Sequence, residues 1–303
     1  MSKKTIQYQE LLNVVRSLSN VGKDNLFYFF LSACENGSLQ ICQICLDAGA
    51  DINITESIYG HTLLYKLAEN GKFTTEVADW LIEKGADINL PIACGQTNLT
   101  ISCYKGNFES AKYFIDKGMK ITKEDLSAAV YGKNYEIVKM FLELEDDLKD
   151  DNYSFFSAIE DKQTNIVELF LQKGATPNFY SGKDITPLHQ ATLNKDIQTA
   201  QILLKYNASV NAKLKADARF VYDEFTTDKY PFNQSFALTP MDIAVINQDI
   251  AMQKLLTSFG GFVSSKEEKI QALSECSNNE IAISILKKIL ASWLFFYFGC
   301  SKN

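Results

Sequence analysis

The chain has 303 residues, of which 46% are hydrophobic and 22% charged, a composition typical of a folded globular protein. A formal charge of −7 and a pI near 5.1 exclude a broadly basic surface, so we expect no nucleic-acid partner. Only two histidines are present in the whole sequence, which leaves little material for histidine-based catalysis. We expect neither a cofactor nor a bound metal.

The first segment, residues 1–24, is predicted to contain a capping helix. Apolar residues recur at helical spacing over residues 5–18. The same segment lacks the apolar run of a secretory signal peptide. The seven cysteines are an odd number and are scattered along the chain. Together these features favour a cytoplasmic protein with reduced thiols.

Residues 25–261 contain one pattern about seven times: a helix rich in small residues, a short turn, and a more apolar helix. Small residues let neighbouring helices approach closely, and Leu, Ile and Phe of the second helix fill the core between pairs. One such pair cannot bury its apolar face alone, so the pairs must stack. The predicted pairs are residues 25–48, 60–84, 95–117, 123–144, 152–173, 184–206 and 238–259.

Short sequences of the GADIN type follow several of these pairs, at Gly49–Asn53, Gly85–Asn89, Gly174–Asn178 and Asn207–Asn211. The spacing between Gly85 and Gly118 is 33 residues, and residues 186–189 have the sequence TPLH. A 33-residue period that contains these GADIN-type and TPLH sequences resembles the repeat of the ankyrin family. The resemblance implies an all-α solenoid of about seven helix-turn-helix repeats with hairpin fingers, capped by helices at both ends. It also implies that His189 makes structural hydrogen bonds.

The cysteines of the repeats are interpreted as packing residues. Cys42 and Cys45 form a C-x-x-C sequence, which is found in redox and metal sites. Both fall on the apolar face of a predicted second helix, where a small hydrophobic residue is expected. The resemblance to the ankyrin family places Cys34 and Cys103 where that family usually has the second alanine of the first helix. We therefore favour core packing over a redox or metal role.

Three segments depart from the regular pattern. Residues 72–76 add about two residues to one turn, and the acidic run 143–151 replaces a finger. We favour a solvated connection over an acidic docking patch for that run. The long insertion 213–236 is predicted to be either a contact surface or a cover that packs on the repeats. Its aromatic residues are Phe220, Tyr222, Phe225, Tyr230, Phe232 and Phe236.

The ankyrin resemblance implies that a partner binds to the finger tips and to the exposed ends of the first helices, which line a groove. Carried over by register, the expected partner-binding residues outside the insertion are Tyr59, His61, Glu69, Asn70, Cys94, Gln96, Tyr104, Lys105, Lys183, Ile185, Leu193, Asn194, Ile246 and Asn247.

The last segment, residues 262–303, is predicted to be a helix pair with an apolar tail. Residues 289–300 are twelve, about 18 Å of helix, which is too short for a hydrocarbon core of about 30 Å. We favour a cap on the last repeat. A membrane contact at the interface through Trp293–Phe298, or a partner-binding tail, stays open.

The leading functional hypothesis is a monomeric scaffold that binds another protein and catalyses no reaction. The style of the sequence resembles ankyrin effectors that intracellular bacteria deliver into host cells, which would place the chain in the host cytosol. One alternative is an adaptor tethered to a membrane by its tail. Another is a cysteine-dependent enzyme, for which His61 and Cys94 on consecutive fingers are the candidate base and nucleophile.

Overall fold

The computed structural model describes residues 3–90, 92, 95–182, 185–214 and 238–264. Within these residues the chain forms fifteen α-helices and one 3-10 helix. The chain divides into two compact units, unit 1 (Met1–Glu145) and unit 2 (Asp146–Asn303). The predicted insertion lies outside the described residues from position 215 to its end, and the tail of the last segment does so from position 265.

Unit 1 begins with a capping helix and continues with four helix pairs. In each pair we call the first helix inner and the second outer. The capping helix α1 is longer at both ends than the predicted 5–18. The bounds are α1 Lys3–Val21, α2 Lys23–Glu35, α3 Leu39–Asp47, α4 Leu63–Glu69, α5 Thr75–Glu83, α6 Asn98–Tyr104, α7 Phe108–Asp116, α8 Lys123–Tyr131 and α9 Tyr135–Leu144.

The described part of unit 2 begins with the 3-10 helix Asp146–Asp150 and continues with three helix pairs. All seven helix pairs predicted from the sequence are confirmed in their predicted places. The bounds of the pairs in unit 2 are α10 Asn152–Glu160 with α11 Thr164–Gln172, α12 Pro187–Leu193 with α13 Ile197–Lys205, and α14 Pro240–Ile246 with α15 Ile250–Ser258.

Threonine caps determine where most inner helices begin. Each of these threonines accepts a hydrogen bond on its side-chain oxygen from the backbone N–H three residues later. The bond satisfies one of the N–H groups that the first turn of a helix leaves without a partner. The capping residues are Thr62, Thr97, Thr122, Thr186 and Thr239.

Within each unit the helix pairs stack on one another. In unit 1 the inner helices contact in the order α2, α4, α6, α8, and in unit 2 the order is α10, α12, α14. The core between them contains large side chains such as Phe30, Phe114 and Phe170, all fully buried. Such stacking confirms the predicted all-α solenoid of helix pairs. The four described cysteines, Cys34, Cys42, Cys45 and Cys103, are buried and reduced in this core, as packing residues should be.

Three asparagines of the GADIN type form hydrogen bonds from their own finger to the next finger along the chain. Asn53 donates from its side-chain amide to the Gly85 carbonyl at 3.2 Å and accepts from the Asp87 N–H at 2.8 Å. A finger that protrudes into solvent is thereby fixed to its neighbour rather than left to move alone. In unit 2 the same two bonds recur at Asn178, with Asn207 and Ser209, and at Asn211, with Gly260 and Phe262.

His189 has the structural role that the resemblance implied. Its ring Nδ1 lies 2.7 Å from the Thr186 hydroxyl, and its Nε2 lies 3.0 Å from the Leu238 carbonyl oxygen of the next repeat. Burial lowers the pKa of the imidazole to about 4, against the hydrogen bond to Leu238, which raises it. A neutral ring therefore joins two repeats inside unit 2.

The irregular segments have local explanations. The turn between α4 and α5 spans residues 70–74, two residues more than the turn 105–107 in the next pair, as predicted. In the acidic run, Leu148 is buried and the Asp151 side chain caps α10 by accepting the Ser154 N–H. In the part of the chain that the structure describes, no helix is long and apolar enough to cross a membrane.

Candidate interaction surface

The ends of the inner helices in unit 1 carry the exposed side chains that the sequence analysis associated with binding. We call this surface the inner ridge and define it as Glu35, Glu69, Asn70, Tyr104, Lys105 and Tyr131. The glycines Gly37, Gly71 and Gly106 are the second residues of three of the turns, with φ between 64° and 69°. Glycine adopts this left-handed backbone without strain, so each of these inner helices ends there.

A pair of stacked tyrosines forms the end of the inner ridge on α6 and α8. The rings of Tyr104 and Tyr131 have centroids 5.1 Å apart and planes inclined by 12°. The two residues belong to consecutive inner helices and are 43% and 64% exposed. The ammonium of Lys105 lies 5.6 Å from the centroid of the Tyr104 ring, within range of a cation–π contact. Two large aromatic rings are thus held parallel at a solvent-exposed position.

Gly132 brings the two tyrosines together. A Cβ at this position would lie 2.6 Å from the Tyr104 carbonyl oxygen and 2.7 Å from that of Cys103. The side-chain amide of Asn134 donates to the Gly106 carbonyl at 2.9 Å and fixes the neighbouring turn. Because glycine has no side chain, the turn after α8 can approach the end of α6 this closely.

The polar part of the inner ridge is internally paired. Lys66 Nζ lies 2.5 Å from Glu69 Oε2 on the same helix. The Asn70 side chain donates to Glu35 Oε1 at 2.7 Å and so connects two consecutive repeats. These contacts orient the two carboxylates before any partner arrives.

A second aromatic group lies at the finger before α4. The His61 ring stacks on Tyr65 with centroids 4.2 Å apart, and Tyr59 stacks on His61 at 5.4 Å. The Tyr65 hydroxyl donates to Gln96 Oε1 at 2.6 Å, which ties this finger to the next repeat. His61 Nδ1 is also 3.3 Å from Glu56 Oε1.

The charge state of this finger follows from its burial. Burial lowers the pKa of His61, although Glu56 and Glu69 raise it, so the ring is neutral at pH 7. The Glu56 carboxyl is also buried, which raises its pKa. The backbone N–H groups of Tyr59 and Ile58 donate to it and lower the pKa below its ordinary value. The finger therefore presents the exposed Tyr59 stacked on a neutral His61 ring.

Most expected residues of unit 1 are at the surface. Tyr59, Asn70, Gln96, Tyr104 and Lys105 are exposed, and His61 and Glu69 are half-buried. The predicted nucleophile Cys94 lies outside the described residues, so the proposed pair with His61 has no described geometry. Among the described residues, no three metal-ligating side chains meet.

Two expected residues of unit 2 are corrected. Ile185 is fully buried and Leu193 is 9% exposed, so both pack inside the unit instead of facing a partner. The reason is their apolar character at positions where unit 1 has polar or aromatic residues. Asn194 is half-buried and donates to the Ile159 and Glu160 carbonyls at 2.8 and 3.2 Å, which is a link between repeats.

The remaining expected residues divide into two groups. Ile246 and Asn247 are half-buried at the end of α14. The other residues lie outside the described part of the chain, namely Lys183, Phe220, Tyr222, Phe225, Tyr230, Phe232 and Phe236.

Sequence reasoning missed Tyr131 and Glu35. Both stand two residues before the left-handed residue of the turn, Lys133 (φ 55°) and Gly37 (φ 64°), as Tyr104 does before Gly106. Counting back from the turn would have found them. Counting forward from the capping threonine fails in the fourth pair, because α8 has nine residues where α6 has seven.

Comparison with known families agrees with this architecture. The family model described as "Ankyrin repeats (3 copies)" matches residues 30–125 and 126–213, more than half of the chain. The chain belongs to the ankyrin-repeat family. The helix pairs, capping threonines and linked fingers described above are therefore ankyrin repeats, and the inner ridge lies at the ends of their first helices.

Curated relatives match only through part of their own length. The chain is 32% identical over 106 residues to "Ankyrin repeat and KH domain-containing protein mask-1" of Caenorhabditis elegans, covering 35% of this chain and 4% of that protein. It is 26% identical over 194 residues to "E3 ubiquitin-protein ligase XBAT33" of Arabidopsis thaliana, covering 60% of this chain and 36% of that protein. The ankyrin chain thus spans at most about a third of these relatives.

Solved structures share the fold. The human ASB11 ankyrin repeat domain has a TM-score of 0.57 at 17% identity, covering 78% of this chain and 99% of that domain. The ankyrin repeat domain of Bcl-3 has a TM-score of 0.56 at 18% identity, covering 76% and 97% respectively. At such identities the likeness describes the ankyrin fold alone.

Proposed function

We propose that this chain is a protein-interaction module, and that unit 1 binds its partner through the inner ridge and the finger that carries Tyr59. The observation that carries the proposal is the exposed, stacked pair Tyr104–Tyr131. Ankyrin repeats generally mediate protein–protein interaction, which supports the class of function. No reaction is assigned to the chain.

Energetic reasoning favours the tyrosine pair as the anchor. Tyrosine is enriched among the residues that dominate binding energy, because it contributes a large contact area with few rotatable bonds. The Tyr104 and Tyr131 rings are already stacked, so they lose little side-chain entropy when a partner docks. Glu35 and Glu69 next to them are oriented by Asn70 and Lys66 and supply polar contacts at the rim.

Affinity capture with a matched control tests this assignment. The immobilised full chain would be incubated with a lysate of the cells that produce it, and bound proteins quantified by mass spectrometry. Removing both rings with Tyr104→Ala and Tyr131→Ala should reduce specific partners by about tenfold or more, as expected for hot-spot residues. The control is Tyr153→Ala, which removes a 71% exposed tyrosine from unit 2 and should change nothing.

Two results would contradict the proposal. One is an unchanged set of partners after loss of both ridge tyrosines, with the helical circular dichroism signal preserved. The other is an equal loss for Tyr153→Ala, which would indicate that exposed tyrosines in general capture proteins without a specific site.

The predicted role of the insertion is a separate part of the proposal. Deleting residues 213–236 removes six aromatic residues without touching the inner ridge. If the insertion is a second contact surface, the deletion should weaken capture of the same partners, and its effect should add to that of the tyrosine pair because the sites are distinct. Identical partner amounts with and without the insertion would remove it from the contact surface.

A further inference from the structure

Three thiols from one helix pair lie in the core of unit 1, and the function proposed above uses none of them. Cys34 belongs to α2, whereas Cys42 and Cys45 belong to α3. The Cys34 and Cys42 sulfur atoms are 3.6 Å apart, and these residues are 1% and 0% exposed. The sulfur contact therefore links the two helices of the pair, rather than the two cysteines of the C-x-x-C sequence.

The two sulfur atoms are in contact but are not bonded. A disulfide has sulfur atoms about 2.0 Å apart, so the two atoms would have to approach by about 1.5 Å. Such an approach requires rotation about the two Cα–Cβ bonds and a small shift between α2 and α3. The helices are joined by the short turn 36–38, so the two thiols stay close even when the pair opens locally.

The hydrogen bond between these thiols gives them different reactivities. The contact with the Cys34 sulfur lowers the pKa of Cys42, against burial, which raises it, and the same contact raises the pKa of Cys34. Burial raises the pKa of Cys45 to about 12, and it also raises the pKa of Cys103. The thiolate is the form that attacks oxidants, so the lowered pKa favours Cys42 as the attacking sulfur.

The first helix pair lies at one end of the repeat array of unit 1. On one side the first helix pair is covered by the single helix α1 rather than by another helix pair. A groove of about 600 Å³ between α1 and α3 is lined by Leu11, Ile41 and Ile44 and leaves α3 partly uncovered. Elements with fewer packed neighbours open at a lower free energy than the middle of a repeat array.

We propose that Cys34 and Cys42 form a reversible disulfide when the chain meets a hydroperoxide, and that Cys45 and Cys103 remain thiols. The Cys42 thiolate attacks one peroxide oxygen, the O–O bond breaks, and Cys42 becomes a sulfenic acid while hydroxide leaves. The Cys34 sulfur then displaces a second hydroxide from the Cys42 sulfur, and both hydroxides take up the thiol protons. Two thiols lose two electrons in total, and one hydrogen peroxide is reduced to two waters.

The bond would join the last turn of α2 to α3. On α2 it starts from Cys34, the residue before Glu35. The Glu35 carboxylate accepts the Asn70 amide of the next repeat, so oxidation would fix one end of the inner ridge. The disulfide can form whether or not the inner ridge binds a partner, and the test below does not depend on one.

The experiment maps disulfides in the wild-type full chain. Native protein would be treated with hydrogen peroxide, its free thiols blocked under denaturing conditions, and the chain cleaved after Lys and Glu. Cleavage after Glu35 separates Cys34 from the other two cysteines. We expect a linked peptide joining Cys34 to Cys42, about tenfold more abundant than any link to Cys45. A reductant should remove it.

Controls make the result specific. An equal mixture of isotope-labelled and unlabelled protein should give no mixed-label peptide, because the bond forms within one chain. Cys45→Ala should keep the link and Cys42→Ala should abolish it, with circular dichroism verifying that each variant folds. The proposal is overturned by a dominant bond through Cys45, by sulfinic acid without a link, or by oxidation that occurs only in denaturant. Cys42 and Cys45 lie in the same peptide, residues 36–56, and fragmentation of that peptide from the wild type distinguishes these outcomes even if a variant fails to fold.

Discussion

The two units can be compared at the residue in front of the capping threonine. The fingers before α4 and α6 represent unit 1, and the finger before α12 represents unit 2. Before α4 and α6 this residue is His61 or Gln96, which contact solvent, and before α8 it is the half-buried Ile121. In unit 2 it is Ile185, and Leu238 in the following repeat, and both are buried. The same backbone position thus offers side chains for contact in one unit and fills the core in the other.

The ends of the inner helices repeat this difference. Unit 1 has Glu69 and Tyr104 there, with the tyrosine 43% exposed. In unit 2, α10 ends at the half-buried Glu160, whereas α12 ends at Leu193, 9% exposed, and α14 at the half-buried Ile246. An ankyrin repeat supplies the position of a contact, and the residue type at that position decides whether a contact exists. This difference in residue type, rather than in fold, supports the proposal that the partner surface lies in unit 1.

We expect the largest change in stability from the buried His189 ring, which joins two repeats inside unit 2. The folded-state pKa of His189 is about 4, below its ordinary 6.5, because burial disfavours the imidazolium. The stabilisation is fully present above pH 6.5 and is lost as pH falls toward 4, on the order of 3 kcal/mol. Denaturant unfolding of the wild type and of His189→Gln between pH 7 and 4 measures it. Parallel pH dependences for the two proteins would refute the link.

Unit 1 should respond to pH in the opposite direction through Asp125. Asp125 completes the cap of α8 together with Thr122, and it accepts a hydrogen bond from the Thr100 hydroxyl at 2.7 Å. Burial raises the pKa of its carboxyl group. Its stabilisation is present below the ordinary pKa of 3.8 and is lost as pH rises through the folded-state value. Asp125→Asn should therefore become more stable relative to the wild type as pH rises. A constant difference between the two from pH 3 to 7 would contradict the assignment.

The next effect tests the close approach that stacks the tyrosines. Gly132→Ala places a Cβ within 2.7 Å of two carbonyl oxygens, so the backbone must shift, at a cost of about 1–3 kcal/mol. The matched control is Gly182→Ala in unit 2, where no atom lies within 4 Å of the added Cβ. The free energies of unfolding of both variants give the comparison. Equal values would show that Gly132 does not position Tyr131.

The smallest effect should be the same in both units. Asn53 and Asn178 each make two hydrogen bonds to the following finger. Replacing either by alanine should cost about 1 kcal/mol, since these bonds are exposed to water. Similar values for Asn53→Ala and Asn178→Ala, measured by denaturant unfolding, would show that the units differ in surface chemistry and not in how their fingers are joined. A cost confined to one unit would undermine that conclusion.

Sequence alone predicted the repeats, because their period and the TPLH and GADIN words depend on local chemistry: caps, left-handed turns and small residues. The burial of Cys42 and the role of His189 followed from the same register. Register was less informative for the surface. It placed Ile185 on a partner surface although its apolar side chain already indicated burial, and it omitted Tyr131 because α8 is longer than α6. The contact through Gly132 joins two repeats in space and has no sequence signal.

The proposed function requires that a partner contacts the tyrosine pair of unit 1. The most direct measurement is photo-crosslinking from a benzophenone amino acid placed at position 131, compared with the same amino acid at the exposed position of Tyr153. We predict one dominant cross-linked protein from position 131 that competes with unlabelled wild-type chain and is absent from position 153. Cross-links from position 153 alone, or the same proteins from both positions, would contradict a binding surface at the inner ridge.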